Sequence, residues 1–300
     1  MNDLETGIGQ DSVAVVIATC GRPELAKSLV RALRDQTRPP DAIFVVACRD
    51  EDVAGFDKDQ PGLTVSLGRR GLPKQRNDGL ALAAGRFSYV VFFDDDFVPS
   101  RYWIETMVEL FKANPDLVSL TGTVLADGIK TAGIPQEEAE RLVQARDASP
   151  PGDNGLHDGF GPYGCNMAFR YAAIGDVAFD ERLPLYGWLE DCDFGGQIKH
   201  RGRQARADAL WGVHLGHKVA RTRGVTLGYS QMTNAVYLAR KGTLSKRFLA
   251  NIALRNLLSN LLGTVRPEPF VDRRGRLYGN FIALADIMRG RITPERAADL

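Results

Sequence analysis

Three consecutive carboxylates, Asp94 to Asp96, are the residues whose types and spacing most directly suggest chemistry. They follow the apolar run Tyr89 to Phe93, which predicts a buried strand. Adjacent carboxylates repel one another, so a cation or hydrogen bonds must compensate for that repulsion. Hard divalent ions such as Mg²⁺ and Mn²⁺ prefer oxygen ligands, and the pattern therefore suggests a metal site. An ordinary Asp-rich turn closed by Pro99 is the alternative.

The chain before this stretch alternates between strand and helix patterns. Apolar runs predict strands at 13–17, 43–47 and 63–67, and helical patterns occupy 23–36 and 73–84. This alternation predicts a mostly parallel sheet with helices on both faces. Such sheets bind ligands at the carboxyl ends of their strands, where Thr19, Asp50 and the three carboxylates are expected to lie.

The second half of the chain has weaker patterns. We expect a helix at 100–114, strands at 117–124 and 204–210, and a polar, helix-prone segment at 127–147. Residues 149–164 are rich in Gly and Pro, which is typical of a binding loop, a lid or a plain surface segment. The C-terminal part is predicted to be helical.

Composition indicates an ordinary soluble globular protein, with 44% hydrophobic and 25% charged residues among 300. The last 100 residues contain 18 Lys and Arg against 6 Asp and Glu, a balance of +12, which favours an anionic partner. The four cysteines form no C-x-x-C pair, so we expect no zinc site and a reduced, cytoplasmic setting. The polar N-terminus does not resemble a signal peptide, and no apolar run is long enough to span a bilayer.

One C-terminal stretch combines leucines with cations. Leucines and other apolar residues between Leu244 and Leu262 form a wide apolar face, and Lys246, Arg247 and Arg255 lie on the other side of the predicted helix. Such a helix packs on a domain core or lies on an anionic membrane surface. No stacking platform of aromatic and basic residues is present, so nucleic acid is not an expected partner.

Several segments together resemble one family. VVIATCGRP, LPKQRNDGLALAAGRFSYVVFFDDDF, GCNMAFR and LEDCDFGGQIKHRG, in this order, resemble the family 2 nucleotide-sugar glycosyltransferases. The resemblance runs from about Val13 to Lys218. It implies an α/β fold called GT-A, Rossmann-like with a mostly parallel central sheet, over residues 11–218. Residues 219–300 would then be a basic helical segment packing on that domain.

The resemblance also implies a metal site for Mn²⁺ or Mg²⁺. The family's D-x-D pattern maps onto Asp94 and Asp96. By resemblance, Asp94 and Asp95 face the donor. Asp94 and Asp96 bind the metal. Some relatives complete the metal site with a His after a later strand, and we expect His217 rather than His214 to take that place. A buried, hydrogen-bonded His is the alternative.

The donor is expected to contact residues at several strand ends. By resemblance, Thr19 and Arg22 bind base and phosphate, and Arg76 contacts the donor; an ordinary solvated helix face is the alternative for both arginines. The family usually has D-D-x-S after its second strand, and this chain has Ala-Cys-Arg-Asp instead. Asp50 or Asp52 would therefore have to read the base.

Glu190 and Asp191 match the family's "ED" pair. In inverting transfer a base removes the proton of the acceptor hydroxyl as it attacks the sugar. By resemblance Asp191 is that base, and Glu190 contacts the acceptor or holds the start of the helix. A carboxylate pair that stabilises a helix N-terminus is the structural alternative.

The sequence therefore predicts a metal-dependent, inverting, non-processive glycosyltransferase. It would move one sugar from a nucleoside diphosphate sugar to a saccharide or lipid-linked saccharide, as in bacterial exopolysaccharide and surface-glycan synthesis. It would act in the cytoplasm or as a peripheral protein on the inner face of the cell membrane. A sugar-nucleotide nucleotidyltransferase and a non-catalytic nucleotide- or glycan-binding subunit are the alternatives.

Overall fold

The computed structural model describes residues 11–57, 60–149, 155–159, 161–217 and 223–300. Within them the strands are β1 Val13–Thr19, β2 Ala42–Ala47, β3 Leu63–Leu67, β4 Tyr89–Asp94, β5 Phe97–Pro99, β6 Leu117–Asp127, β7 Leu156–Asp158, β8 Asn166–Arg170 and β9 Arg203–His214. The helices are α1 Pro23–Arg34, α2 Leu72–Ala83, α3 Trp103–Ala113, α4 Gln136–Asp147, α5 Tyr171–Ile174, α6 Glu190–Ile198, α7 Gly224–Lys241, α8 Lys246–Val265 and α9 Arg273–Met288. Parts of the predicted 149–164 loop, the N-terminal residues and Lys218 lie outside the described residues.

The strands form one mixed sheet in the order β3-β2-β1-β4-β8-β6-β9-β5, with β7 beside β9. The run β3-β2-β1-β4 is parallel throughout, as the alternating pattern predicted. The second half differs from the mostly parallel expectation. β8 is antiparallel to β4 and to β6, and β5 and β7 are antiparallel to β9. The long pair β6 and β9 is parallel.

Helices cover both faces of this sheet, in agreement with the α/β expectation. Alternate residues of β1, such as Val15 and Ile17, share a core cluster with Leu33 of α1 and Trp103 of α3. The opposite face carries α2, whose Gly79 lies so close to β1 that an added Cβ would approach Val16 Cγ1 to 2.3 Å. This close packing fixes the start of α2, and with it Gln75 and Arg76, beside the strand ends.

The chain divides into two compact units. The first comprises residues 1–70, 75–178 and 198–219, and the second comprises 71–74, 179–197 and 220–300. In the second unit Leu183 and Leu189 share a core cluster with residues of α7 and α8, and Asn234 of α7 donates to the Trp188 carbonyl at 2.9 Å. Because of these contacts the segment 179–197 groups with the C-terminal helices. Residues 71–74 and 179–197, which the prediction placed in the first domain, group with the second unit.

Among the described residues, no helix has both the length and the apolar character needed to cross a bilayer. The longest, α8, is interrupted by polar side chains along its whole length.

Candidate functional site

The three carboxylates lie where β4 ends and the chain turns into β5. Asp94 is the last residue of β4, Asp95 and Asp96 form the turn, and Phe97 opens β5. Neighbouring side chains point in different directions here. Donor atoms of Asp94, Asp96 and His214 all lie within 4.8 Å of one another, whereas Asp95 faces Thr19 and Arg22.

Asp96 lies at the centre of this cluster and is almost fully buried. Its carboxylate pairs with Arg22 Nη1 at 3.1 Å and with His214 Nε2 at 3.4 Å, and it accepts a hydrogen bond from the His217 backbone N–H at 2.9 Å. Burial alone would raise the pKa of Asp96, but the hydrogen bond from His214 and the charge of Arg22 outweigh burial and lower that pKa. Asp96 is therefore an anion that is held in place from three sides.

His214 is oriented by a carboxylate that the sequence did not single out. Its Nδ1 lies 3.0 Å from Asp127 Oδ1, and Asp127 also accepts a hydrogen bond from the Tyr163 hydroxyl at 2.9 Å. An ionised carboxylate only accepts, so Nδ1 is the donor and Nε2 is directed at Asp96. Burial would lower the pKa of His214, but the hydrogen bonds to Asp127 and Asp96 outweigh it and raise the pKa to about 10.

The structure favours His214 over His217 as the histidine of this cluster. His214 is the last residue of β9, and its position is paired with Phe97 of β5. His217 lies three residues further on, its side chain is exposed, and its backbone N–H donates to Asp96. The sequence pattern could not separate the two because the end of β9 was predicted four residues too early.

The cluster suits a divalent cation of intermediate hardness. Two carboxylates and one imidazole fit Mn²⁺ better than Mg²⁺, which prefers oxygen ligands throughout. The carboxylate behind the imidazole is the common arrangement at metal-bound histidines, because it fixes the ring and raises its basicity. Asp94 keeps part of its side chain exposed, so the site is open on that side.

Replacing each histidine by Ala tests this assignment. We expect His214→Ala to weaken Mn²⁺ binding by at least roughly 10–100-fold, the loss seen when residues that hold a metal ligand are removed. The matched control His217→Ala should bind Mn²⁺ as the wild type does, since a backbone N–H survives the substitution. Titration followed by Mn²⁺ electron paramagnetic resonance measures both. A loss confined to His217→Ala would reverse the assignment.

Arg22 and Thr19 join the first strand end to the carboxylates. The Thr19 hydroxyl donates to Asp95 Oδ2 at 2.7 Å, and Arg22 Nη2 pairs with Asp95 Oδ1 at 2.5 Å. Arg22 also contacts Asp96, so one guanidinium bridges two of the three carboxylates. Its position at the start of α1 follows from Pro23, which suits the first helical turn.

Arg76 is buried and binds the third carboxylate, Asp94. Its Nη2 donates to Asp94 Oδ1 at 2.8 Å and to the Gly164 carbonyl at 2.7 Å. The neighbouring Gln75, which the sequence did not suggest, donates to the backbone carbonyls of Thr19 and Val46 at 2.9 and 2.8 Å. The start of α2 thus ties together the ends of β1, β2 and β4.

Asp50 and Asp52, the two candidates after β2, have different surroundings. Asp52 is fully buried, and its carboxylate accepts backbone N–H groups of Gly21, Cys48 and Arg49. The Asp52 carboxylate therefore stabilises the conformation of this loop. Asp50 is exposed at the start of the same short 3₁₀ helix.

Glu190 and Asp191 belong to the second unit, where they begin α6. Glu190 is buried, and Asp191 is partly exposed with its Oδ1 accepting the Cys192 N–H at 2.7 Å. The preceding residue Leu189 has φ of +71°, a left-handed conformation that is unfavourable for a residue other than Gly. Backbone strain of this kind concentrates at functional sites because the surrounding structure must enforce it.

Comparison with known proteins agrees with this architecture. The model for "Glycosyl transferase family 2" matches residues 14–177, more than half of the chain. A curated relative, the glucosyl-dolichyl phosphate glucuronosyltransferase of Haloferax volcanii, is 30% identical over 135 residues, which span 42% of this chain and 42% of that relative's length.

Solved structures show the same fold at low sequence identity. A crystal structure of S. aureus TarS 1-349 is 16% identical, with a TM-score of 0.56, and covers 95% of this chain and 82% of that chain. The same fragment in complex with UDP-GlcNAc matches equally, with a TM-score of 0.56. The fold is thus the GT-A fold, and the chain belongs to glycosyl transferase family 2.

Proposed function

We propose that the protein transfers one sugar, with inversion, from a nucleoside diphosphate sugar to a hydroxyl of a saccharide or lipid-linked saccharide. The observation that carries this proposal is the acidic cluster at the end of β4, together with its histidine and two arginines. A leaving nucleoside diphosphate is polyanionic, and Arg22 together with a bound divalent cation would stabilise its charge. The complex of the structural neighbour TarS with UDP-GlcNAc supports a nucleotide-sugar donor.

In this mechanism the residues of the first unit hold the donor. Asp94, Asp96 and His214 would bind Mn²⁺ or Mg²⁺, which supplies Lewis-acid stabilisation of the departing phosphates. Arg22 is the residue best able to contact phosphate, because 22% of its side chain remains exposed beside the carboxylates. Arg76, by contrast, is buried and acts through Asp94, which it holds in position.

Asp191 of the second unit is proposed as the base that takes the acceptor proton. Among the three carboxylates of the first turn of α6, Asp193 is fully buried and bound to Lys241 and Thr243, both at 2.6 Å. Asp193 is therefore structural. Asp191 keeps an exposed side, and a carboxylate that is reachable from solvent can accept a proton from a bound hydroxyl.

A thermal-shift screen of nucleoside diphosphate sugars tests the donor class. Ligands that bind only the folded state raise its melting temperature by mass action. We expect one or a few nucleotide sugars to raise the melting temperature in the presence of Mn²⁺ and to have a smaller effect with EDTA. If no nucleotide sugar shifts the melting temperature with any divalent ion, the proposed donor class is wrong.

The exposed side of α8 supports contact with an anionic membrane, where a lipid-linked acceptor would be found. Leu249 and Ala253 of α8 are buried in the core of the second unit, but a further apolar set is exposed: Phe248, Leu254, Leu258, Leu261, Leu262 and Val265. The helix contains Lys246, Arg247 and Arg255 and no acidic residue. Exposed leucines beside cations are typical of helices that lie on anionic lipid.

Neutralising these cations tests the membrane contact. Each Lys or Arg near an anionic surface contributes about 1 kcal/mol, so changing Lys246, Arg247 and Arg255 to Gln should weaken liposome binding by roughly 10²-fold. A triple variant of the exposed cations Arg31, Lys130 and Arg141 is the matched control and should bind as the wild type does. Co-sedimentation with phosphatidylserine liposomes measures both. If the wild-type protein does not bind such liposomes at low salt, the acceptor is expected to be soluble.

A further inference from the structure

Two thiols lie side by side at the edge of the sheet where the candidate donor site is located. Cys20 follows β1 and Cys48 follows β2, and the residues just before them, Thr19 and Ala47, are paired in the parallel ladder. The two Sγ atoms and an Asp52 carboxylate oxygen lie within 4.8 Å of one another. No disulfide joins the cysteines in this structure. The cysteine spacing along the chain gave no indication of this pair, because it arises from strand pairing.

The buried Asp52 holds both cysteines in place. Its Oδ1 accepts the N–H of Gly21, next to Cys20, at 2.7 Å, and its Oδ2 accepts the N–H of Cys48 itself at 3.2 Å. Oδ2 also accepts the Arg49 N–H at 3.0 Å, and Oδ1 pairs with the Arg49 side chain at 3.3 Å. With four donors directed at it, the carboxylate has little capacity left for a metal ion. The cluster is therefore better described as a dithiol than as a metal site.

Bridging these positions requires little movement of the backbone. Adjacent strands lie about 4.8 Å apart, which falls within the range of about 4.4–6.8 Å between the Cα atoms of disulfide-bonded cysteines. Both cysteines are partly exposed, so a small oxidant can reach them.

The other two cysteines have different surroundings. Cys165 is buried. Burial raises the pKa of Cys192, and the neighbouring Asp191 and Glu190 raise it further. The thiolate is the reactive form, so Cys192 is held unreactive.

We propose that Cys20 and Cys48 are a redox-active dithiol whose closure to a disulfide weakens donor binding. The oxidant is a small-molecule disulfide of the glutathione class. One protein thiolate attacks it, forms a mixed disulfide and releases one thiol; the second protein thiolate then attacks the mixed disulfide and releases the other thiol. The protein loses two electrons and two protons, and the small disulfide gains them.

The effect on the donor rests on the proposed function. A disulfide brings the two sulfurs to about 2.05 Å and ties the loop that carries Cys20 to the end of β2. Cys20 lies between Thr19 and Arg22, whose bonds to Asp95 and Asp96 hold the candidate donor site together. Small displacements of such positioning residues are enough to impair binding.

Peptide mapping and nucleotide titration test the two parts of this inference separately. The full-length protein is incubated with glutathione disulfide and digested without reduction, and the peptides are identified by mass spectrometry. We expect a Cys20–Cys48 cross-linked peptide in the wild type and in Cys192→Ser. We expect only glutathione adducts in Cys20→Ser and Cys48→Ser. Calorimetry with UDP, GDP and dTDP plus Mn²⁺ should show at least about tenfold weaker binding after oxidation, reversed by dithiothreitol, and no such loss in the double variant Cys20→Ser/Cys48→Ser.

Three results would overturn the inference. The first is the absence of the cross-linked peptide at any ratio of oxidised to reduced glutathione. The second is a cross-linked protein that binds nucleotide as tightly as the reduced one. The third is a stoichiometric Zn²⁺ ion on the reduced wild type that both single variants lose, which would make the thiols metal ligands. If the reduced protein binds none of the nucleotides, the donor assignment fails, and the peptide map alone then decides whether the dithiol exists.

Discussion

Asp96→Asn should abolish metal-dependent binding of the nucleotide sugar while leaving the fold intact. The substitution keeps the shape of the side chain but removes the charge that faces Arg22, His214 and the His217 N–H. Metal stabilisation of a leaving phosphate supplies several kcal/mol, so turnover should fall by at least about 10²-fold. Calorimetry with nucleotide sugar and Mn²⁺ measures the binding, and circular dichroism reports the fold.

Asp35→Asn is a suitable control for this variant. Asp35 is exposed at the C-terminal end of α1, whereas the N-terminal end of α1 carries Arg22 and faces the acidic cluster. The control should bind the donor and Mn²⁺ as the wild type does. If Asp96→Asn binds the donor as tightly as Asp35→Asn does, Asp96 does not bind a metal ion that donor binding requires.

Asp191→Asn should reduce turnover by roughly 10²–10⁴-fold, the usual contribution of a general base. Donor affinity should stay the same, because all residues assigned to the donor lie in the first unit and Asp191 lies in the second. The melting temperature should also stay the same, since Asp191 is partly exposed. Initial rates at saturating acceptor, with donor affinity measured in parallel, provide the test.

Asp193→Asn separates a catalytic effect from a structural one at the same helix. The Asp193 carboxylate is buried against Lys241 and Thr243, so this variant should lower the melting temperature. If Asp191→Asn keeps a near-normal kcat, another residue is the base. If it loses stability as Asp193→Asn does, the pair at the start of α6 is structural.

The sequence was most informative where structure is local. The strands β1, β2 and β4 consist of apolar residues except for Thr19 and Asp94 at their ends, and nearly all of these residues are buried. The helix α1 between β1 and β2 also has a clear apolar stripe, so the parallel half of the sheet and the strand-end positions of Thr19 and Asp94 could be predicted.

What the sequence missed depends on tertiary contacts. β8 pairs with both β4 and β6 although it follows both in the chain. A strand of only five residues has no sequence periodicity that reveals its partners. His214 reaches Asp96 because β9 extends to residue 214 and pairs with β5. Asp127 and Gln75 are ordinary polar residues in the sequence, and only the fold brings Asp127 to His214 and Gln75 to the β1 and β2 ends.

The central claim is most directly tested by identifying the products of a single reaction. The purified protein, Mn²⁺, the nucleotide sugar that the thermal-shift screen selects and a saccharide acceptor are incubated, and the mixture is analysed by mass spectrometry and NMR. We predict a nucleoside diphosphate together with an acceptor extended by one sugar whose anomeric configuration is inverted, and neither product when EDTA replaces Mn²⁺. Pyrophosphate in place of nucleoside diphosphate, or a product with retained configuration, would contradict the account.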